Sequence, residues 1–255
     1  MRVLVVDNGS VDGSVEMVKR EFQDVEVLAL RRNLGYAAAN NLGILYSLRR
    51  GAKYVVLLNN DIEVLDPLWL YLSVKILENH KDIGILGFNL ILPSGRSQQY
   101  PDKIVPLEVG EVSFAAVIIR AEVFHIVGYL DPDYVLGYAE DTDFCYRARR
   151  RGFKIVYVPK VRILHVSQAT FRRVPQVVFT IGSRNSFRHF ILNKSLAEWF
   201  KWIVMAFIGI ESGRIVVRND VRRLKQLTYG LIVYVKWHGL KGLIKLIVES
   251  IRRRF

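Results

Sequence analysis

The strongest constraint on the fold of this chain is a rhythm in its first sixty residues. Short apolar runs at residues 3–6, 25–30 and 54–58 alternate with helix-spaced stretches at residues 15–22 and about 37–50. Alternation of this kind predicts an α/β protein with a parallel sheet and helices on its faces. The third run is uninterrupted and ends abruptly in Asn59, Asn60 and Asp61. A short β-rich apolar segment fits a strand buried on both faces, and open α/β sheets bind ligands beyond the carboxyl ends of their strands. Asp61 therefore falls at the mouth of a site, where a carboxylate flanked by amides suits Mg²⁺ or Mn²⁺ that also holds a phosphate. The same three residues also suit a turn and a helix cap, and the stretch alone leaves both readings open.

The first run ends in Asp7, Asn8, Gly9, Ser10, Val11, Asp12, Gly13 and Ser14, a polar, glycine-bearing loop that leads into a helix. The second is followed by Asn33, Leu34, Gly35 and then Asn40, Asn41, Leu42 and Gly43, whose small residues suit close backbone approach. Asp66 and Pro67 read as the cap and first residue of another helix. Further strands are expected at 83–88, at 114–119, and at 155–158 and 161–164 around Pro159, the last of these ending at His165. A turn is expected at 92–95, a loop at 101–110, and a short helix over 121–127 stopped by Gly128. The densest polar cluster, Asp131, Asp133, Tyr138, Glu140, Asp141 and Asp143, precedes a basic helix over 144–151. Acids in a first helical turn complement the macrodipole, but the cluster holds more acids than capping requires. Cys145, the sole cysteine, excludes an internal disulfide, fits a reducing compartment and reads as a packing residue.

Charge divides the chain unevenly. Residues 184–255 carry 15 Lys and Arg against four Asp and Glu, so +11 of the net +13 belongs to the tail. The expected organisation is therefore an α/β domain over 1–183 and a basic, amphipathic helical tail over 184–255. The apolar run at 203–210, preceded by Trp199, Phe200 and Trp202, falls short of the roughly 20 residues that span a bilayer. Further on, Leu240, Leu243, Ile244, Ile247 and Ile251 share one helical face, with Lys241, Lys245 and Arg252 on another. That pattern fits an anionic membrane surface, the competing reading being a packed helical subdomain with a solvated basic face. Nucleic acid is not an expected partner, because the aromatics fall among aliphatics rather than on a polar surface. The chain opens directly on a strand without the basic and apolar regions of an export signal, and the expected location is cytoplasmic, peripheral on the inner face of the membrane.

Taken in order, Val5-Val6-Asp7-Asn8-Gly9-Ser10, Asn33-Leu34-Gly35, Asn40-Asn41-Leu42-Gly43, Asn59-Asn60-Asp61, the 124–131 stretch and Glu140-Asp141-Thr142-Asp143 with Arg147-Ala148 resemble the family 2 glycosyltransferases of GT-A fold. The rhamnosyltransferase-like branch is the nearest match, over residues 3–167. The resemblance implies a mostly parallel, Rossmann-like sheet. It also implies inverting, metal-dependent transfer of a sugar from a nucleotide-diphosphate donor to a hydroxyl of a lipid-linked or polysaccharide acceptor. By the same resemblance Asp7 contacts the base, Asn33 and Gly35 line the donor loop, and Asn8, Asn40 and Asn59 belong to the donor side. Asp61 takes the last position of the Asp-x-Asp motif as a metal ligand, and Asn59 replaces its first carboxylate. Asp141 matches the general base, its pKa raised by like charge in an acid-rich pocket. Glu140, Tyr138 and Asp143 support it or bind the acceptor, and His165 is a metal ligand in some relatives or a plain strand-end histidine. Family members begin with one more strand and helix, about 30 residues; the expectation is that Met1 is an internal start and that a gap separates neighbouring strands. The alternative function is a catalytically weak nucleotide-sugar or polysaccharide-binding protein.

Overall fold

The structure is a computed structural model that describes residues 1–100, 104–134, 137–166, 175–208 and 218–253. The chain divides into two compact units, Met1–Thr170 and Phe171–Phe255. The boundary expected at 183/184 falls inside a continuous helix, Pro175–Asn193, whose hydrogen bonds a domain break there would cut.

Unit one runs β1 (Leu4–Asp7), α1 (Ser14–Glu21), β2 (Glu26–Ala29), α2 (Tyr36–Arg49), β3 (Tyr54–Leu58), β4 (Ile62–Val64), α3 (Trp69–Asn79), β5 (Ile83–Ile91), β6 (Leu107–Glu108), β7 (Ala116–Arg120), α4 (Ala121–Val127), α5 (Glu140–Arg150) and β8 (Lys154–His165). The main sheet has the order β3-β7-β5-β8-β4, with β6 also on β8, while β1 and β2 form a separate parallel pair. The expected α/β architecture is present, but its strand directions are mixed rather than mostly parallel. Among the described residues only β5 and β8 pair in parallel in the main sheet, because β7 inserts between β3 and β5 antiparallel to both. Periodicity marks a strand and carries no information about its neighbour.

Strand alternation splits the apolar residues between two cores. Val55, Leu57, Ile85, Val117, Ile119, Ile155 and Tyr157 point to one face, packed with Phe114, Phe124, Phe144 and Cys145. Leu86, Phe88, Leu90, Ala116, Ile118, Val156 and Val158 point to the other with Leu77. At about 1.5–3 kcal/mol for each large side chain removed from water, these two layers dominate the stability of the unit. Residues 155–164, expected as two strands, are part of the single strand β8; its ladder with β5 jumps from Phe88–Val158 to Asn89–Arg162, so Pro159 sits in an irregularity and ends nothing. Helix α3 starts at Trp69 rather than at Pro67, since Asp66 Oδ1 accepts the Leu68 N–H in a turn one step earlier. Helix α5 starts at Glu140, so the acids occupy its first turn.

Unit two contains α6 (Pro175–Asn193), α7 (Leu196–Ile208) and α8 (Arg218–Arg252), the last interrupted at Gly239 with φ 65°. Its core joins Phe187, Phe190, Ile191, Leu192, Leu227, Tyr234 and Leu246. The interior is also polar: Arg184 is 1% exposed, donates to Asn185 Oδ1 at 2.8 Å and lies over the Tyr234 ring. The apolar face expected of residues 240–251 is divided, with Leu246 buried and Leu243 packed on the core, while Leu240, Ile244 and Ile251 are exposed. Of the expected 203–210 run, α7 reaches Ile208, and residues 209 and 210 lie outside the described residues. Among the described residues no helix is long and apolar enough to cross a membrane.

Candidate active site

The loops after β1 and β2 are fastened to each other by amide side chains. Asn8 Oδ1 accepts the Leu34 N–H at 2.8 Å, and Asn8 Nδ2 donates to Asn33 Oδ1 and to the Gly35 carbonyl. Asn33 Oδ1 also accepts the Gly35 N–H at 2.8 Å. The loops approach so closely that a Cβ on Gly9, itself at φ 86°, would lie 2.6 Å from the Arg32 carbonyl carbon. Asp7 is buried at the end of β1, and its Oδ2 accepts the N–H groups of Gly9 and Ser10. Asp7, Asn8, Asn33 and Gly35 thus form one assembly. Asn40 stands apart: its amide turns back to the Tyr36 carbonyl within α2. The neighbouring Asn41 makes the longer-range link, exchanging two hydrogen bonds with the backbone of Leu130.

Gly35 hands the chain to Tyr36, whose hydroxyl donates to the Phe114 carbonyl at 2.7 Å. The next carbonyl, that of Ala115, accepts the N–H of Asn59 at 2.8 Å and extends the β3–β7 ladder to the end of the third strand. Asp61 follows in the turn between β3 and β4. Strand β4 pairs antiparallel with β8 so that Ile62 lies opposite His165, and the Asp61 carbonyl accepts the Val166 N–H. This register brings Asp61 Oδ1 to 3.3 Å from His165 Nε2. The other ring nitrogen, Nδ1, is 2.7 Å from Gln98 Oε1. A carbonyl oxygen can only accept, so Nδ1 is the donor in that contact, and Nε2 is the ring nitrogen turned toward Asp61.

Asp61 Oδ1 is buried without any hydrogen-bond donor, which is costly for a carboxylate oxygen unless a positive charge meets it. The oxygen and imidazole donors fit a divalent cation such as Mn²⁺ or Mg²⁺. Among the described residues no group of three or more His, Cys, Asp and Glu is placed to hold a metal. Asp61 and His165 therefore fit as a two-ligand set, whose remaining positions would be filled from outside the protein.

The third part of the site is the first turn of α5. Three successive residues before it, Gly137, Tyr138 and Ala139, have positive φ of 110°, 71° and 71°. For Tyr138 and Ala139 this left-handed geometry costs on the order of 1 kcal/mol each, and such strain concentrates where a loop must aim a functional group. Glu140 is buried at 6% exposure, and its Oε2 has no hydrogen-bond partner. Burial, and then the neighbouring Asp141 charge, pushes its pKa up to about 8. Burial also pushes Asp141 up to about 6, against the Thr142 N–H that its Oδ1 accepts at 2.7 Å. Desolvation is the leading cause for both, whereas like charge was the expected one. The two carboxylates in turn raise the pKa of half-buried Tyr36, after desolvation itself.

Asp143 has a different task. Fully buried, it accepts from Arg147 Nε at 2.8 Å, and the same guanidinium donates to the carbonyls of Val127 and Tyr129. The pair ties α5 to the loop that carries the acidic cluster. Tyr138, at 37% exposure, stands at the mouth of the site. Residues 101–103, in the loop expected at 101–110, and residues 135–136 lie outside the described residues.

Two functional neighbours, Tyr36 and Gln98, had not been singled out in the sequence, and Arg147 had been quoted without a role. Tyr36 directly follows a quoted glycine motif, Arg147 stands at an i, i+4 spacing from Asp143 that signals an ion pair, and Gln98 has no local signal at all. Gln98 reaches His165 only because its N–H bonds the Leu90 carbonyl and so folds the 92–97 turn back along β5.

The family model for glycosyl transferase family 2 matches residues 1–154. An uncharacterised protein of Sinorhizobium fredii is 30% identical over 66% of this chain and 21% of its own length. A dTDP-rhamnosyl transferase of Shigella flexneri is 27% identical over 64% of this chain and 59% of that protein. The chain thus spans well under two thirds of these two relatives. An N-acetylglucosaminyl-diphospho-decaprenol L-rhamnosyltransferase of Mycobacterium tuberculosis is 24% identical over 90% of this chain and 88% of that protein. Among solved structures, GalNAc-T7 with UDP, GalNAc and Mn²⁺ superposes with a TM-score of 0.61 at 12% identity, over 91% of this chain and 50% of that one. A mannosyltransferase from Pyrobaculum calidifontis with GDP-mannose and Mn²⁺ gives 0.55 at 14% identity, over 100% and 71%. With its fold of the GT-A type and its motifs in family order, the chain belongs to glycosyl transferase family 2.

Proposed function

We propose that this protein is an inverting glycosyltransferase, moving a sugar from a nucleoside-diphosphate donor to a hydroxyl of a lipid-linked or polysaccharide acceptor at the inner membrane surface. The observation that carries the reading is Asp141, a carboxylate in the first turn of α5 whose proton affinity is raised to a working range near pH 6. Inversion follows from a single displacement: the acceptor oxygen attacks the anomeric carbon from the face opposite the diphosphate. The acceptor proton passes to Asp141, and the glycosidic bond to phosphate breaks with its electron pair leaving on the nucleoside diphosphate. Proton transfer of this kind is worth typically 10²–10⁴ in rate.

The other residues position the partners. Asp7, with Asn8, Asn33 and Gly35 rigidified around it, holds the nucleoside end of the donor. Asn59 serves the ribose. Asp61 and His165 would hold a divalent cation on the donor diphosphate, where its chemistry is to offset charge growing on the leaving group. Glu140, protonated at neutral pH by its burial, leaves Asp141 as the one charged carboxylate of the pair and is free to donate to the acceptor. Support for a lipid-linked acceptor and for a peripheral position comes from the named activity of the mycobacterial relative and the +11 charge of residues 184–255.

Transfer is tested with dTDP-rhamnose and a polyprenyl-diphosphate sugar, reading the anomeric configuration of the product by NMR, alongside other nucleotide sugars. Asp141→Asn should keep donor affinity while kcat falls by roughly 10²–10⁴, and in the unmodified protein kcat/KM should rise as pH climbs through about 6. Undiminished turnover in Asp141→Asn would overturn the base assignment. Donor binding without transfer to any acceptor would favour the binding-protein reading.

A further inference from the structure

Helix α8 carries an apolar face that its own unit leaves uncovered. Beyond the break at Gly239, Leu246 and Ser250 turn inward, with Leu243 packed on the core beside them. The Ser250 hydroxyl donates to the Ile191 carbonyl, which fixes the rotation of the helix about its axis. On the outer side Leu240 is 68% exposed, Ile244 60%, Val248 41% and Ile251 47%. At about 100° per residue these four fall within an arc of about 80°. Lys241, Arg252 and Lys245, all exposed, fill the adjoining arc of about 40°. Exposed Trp237 and Lys236 lie just before the break.

The polar inventory of this face has one sign. Glu249 is the only acid after Asp220, and it is turned away, ion-paired with Arg188 at 3.3 Å and Arg253 at 2.7 Å. An aliphatic ridge bordered by cations, with an indole at one end, complements a surface that is apolar beneath and anionic above. A second copy of the chain would bring like charges together along the ridge, and a nucleic acid would find no aromatic platform among the aliphatics.

We infer that the ridge Leu240–Ile244–Val248–Ile251, flanked by Lys241, Lys245 and Arg252 and continued by Trp237, is the surface by which the protein lies on an anionic lipid bilayer. The inference rests on the membrane-surface part of the proposed function and names the residues that would make it. It divides the labour of α8: the Leu246 face holds the helix to its unit and the opposite face enters the headgroup region.

The test is cosedimentation of the full chain with vesicles of phosphatidylcholine, with and without phosphatidylglycerol. Wild type should pellet with the anionic vesicles and hardly with the neutral ones. Leu240→Gln/Ile244→Gln should weaken binding at least tenfold; Lys241→Glu/Lys245→Glu should weaken it more, at roughly fivefold per cation lost. Every substituted side chain is exposed, so the thermal melts should be unchanged. Brominated lipid should quench tryptophan emission in wild type and not in Trp237→Phe. Equal pelleting of both variants and wild type, or equal binding to neutral vesicles, overturns the inference. So does a shift from dimer to monomer in sedimentation velocity that leaves vesicle binding unmoved, which would make the ridge a contact between copies. Calorimetric titration of dTDP and UDP on the same proteins separates the two readings: nucleotide binding without vesicle binding defeats only the ridge, and the reverse defeats only the transferase.

Discussion

Replacing Glu140 with glutamine should make the protein more stable, and increasingly so as pH rises. Glu140 is 6% exposed, and its pKa climbs from 4.5 to about 8 through burial first and the Asp141 charge second. The folded protein therefore keeps a proton that the unfolded chain releases above about pH 4.5. Folding stability from this group is fully present below 4.5 and is lost as pH rises toward 8, above which the loss is constant. At about 1.4 kcal/mol per tenfold in proton affinity, the whole rise corresponds to roughly 5 kcal/mol. Asp141 shares the burial and the proton, so roughly half of that is assignable to Glu140 alone. Glutamine keeps the shape of the protonated acid and removes the titration. For a chain of this size, 1 kcal/mol moves Tm by about 2–4 °C, so Glu140→Gln should melt about 5–10 °C above wild type at pH 9. The two proteins should melt together near pH 4.5. Melting curves by circular dichroism across this range decide the matter. Parallel profiles would show that Glu140 is charged in the folded state, and would remove the account of why Asp141, rather than Glu140, is proposed as the base.

Gln98→Leu leaves His165 Nδ1 without its hydrogen-bond partner, and on the proposed metal role of His165 the Mn²⁺ affinity measured by electron paramagnetic resonance should drop about 10–100-fold; an unchanged affinity would separate Gln98 from that role. Arg147→Met strands the buried Asp143 carboxylate and releases two backbone carbonyls, with an expected cost of about 3–5 kcal/mol in urea unfolding. Adding Asp143→Leu should recover most of that loss, because the stranded charge is then gone.

The strands of unit one were legible where they were long and apolar, and β1, β2, β3, β5 and β7 fall within a few residues of the expected runs. Strand β4 escaped because three residues, Ile62–Val64, give no measurable period. Residues 155–164 read as two strands because proline normally ends a ladder, and only the β5 register reveals that the irregularity absorbs it. Asp61 was visible as the polar end of an apolar run, and Glu140 and Asp141 as acids beyond the needs of capping. What joins them was invisible: the Ile62–His165 pairing, the turn that delivers Gln98, and the carbonyls of Phe114 and Ala115 are all long-range. The cause of the raised carboxylates was misassigned for the same reason, since a sequence displays neighbouring charges but not burial. On α8 the apolar spacing was correct and its partition was not: a helix apolar over more than half its circumference does not disclose which part faces its own core.

The substitution of Asn59 gains a structural meaning from the same long-range contacts. Its backbone N–H is spent on the Ala115 carbonyl whichever side chain it carries, so the end of β3 is positioned equally well by Asn or Asp. The difference is electrostatic. With Asn59 the proposed ligand set holds one carboxylate and one imidazole, so a divalent ion there would keep a net positive charge. That charge would be met by the diphosphate of the proposed donor, which would make cation and donor mutually dependent for binding. On the proposed reading, Asp61 and His165 would hold a divalent cation that offsets charge on the leaving diphosphate, and the β4–β8 ladder keeps the two residues in register whether or not a donor is bound.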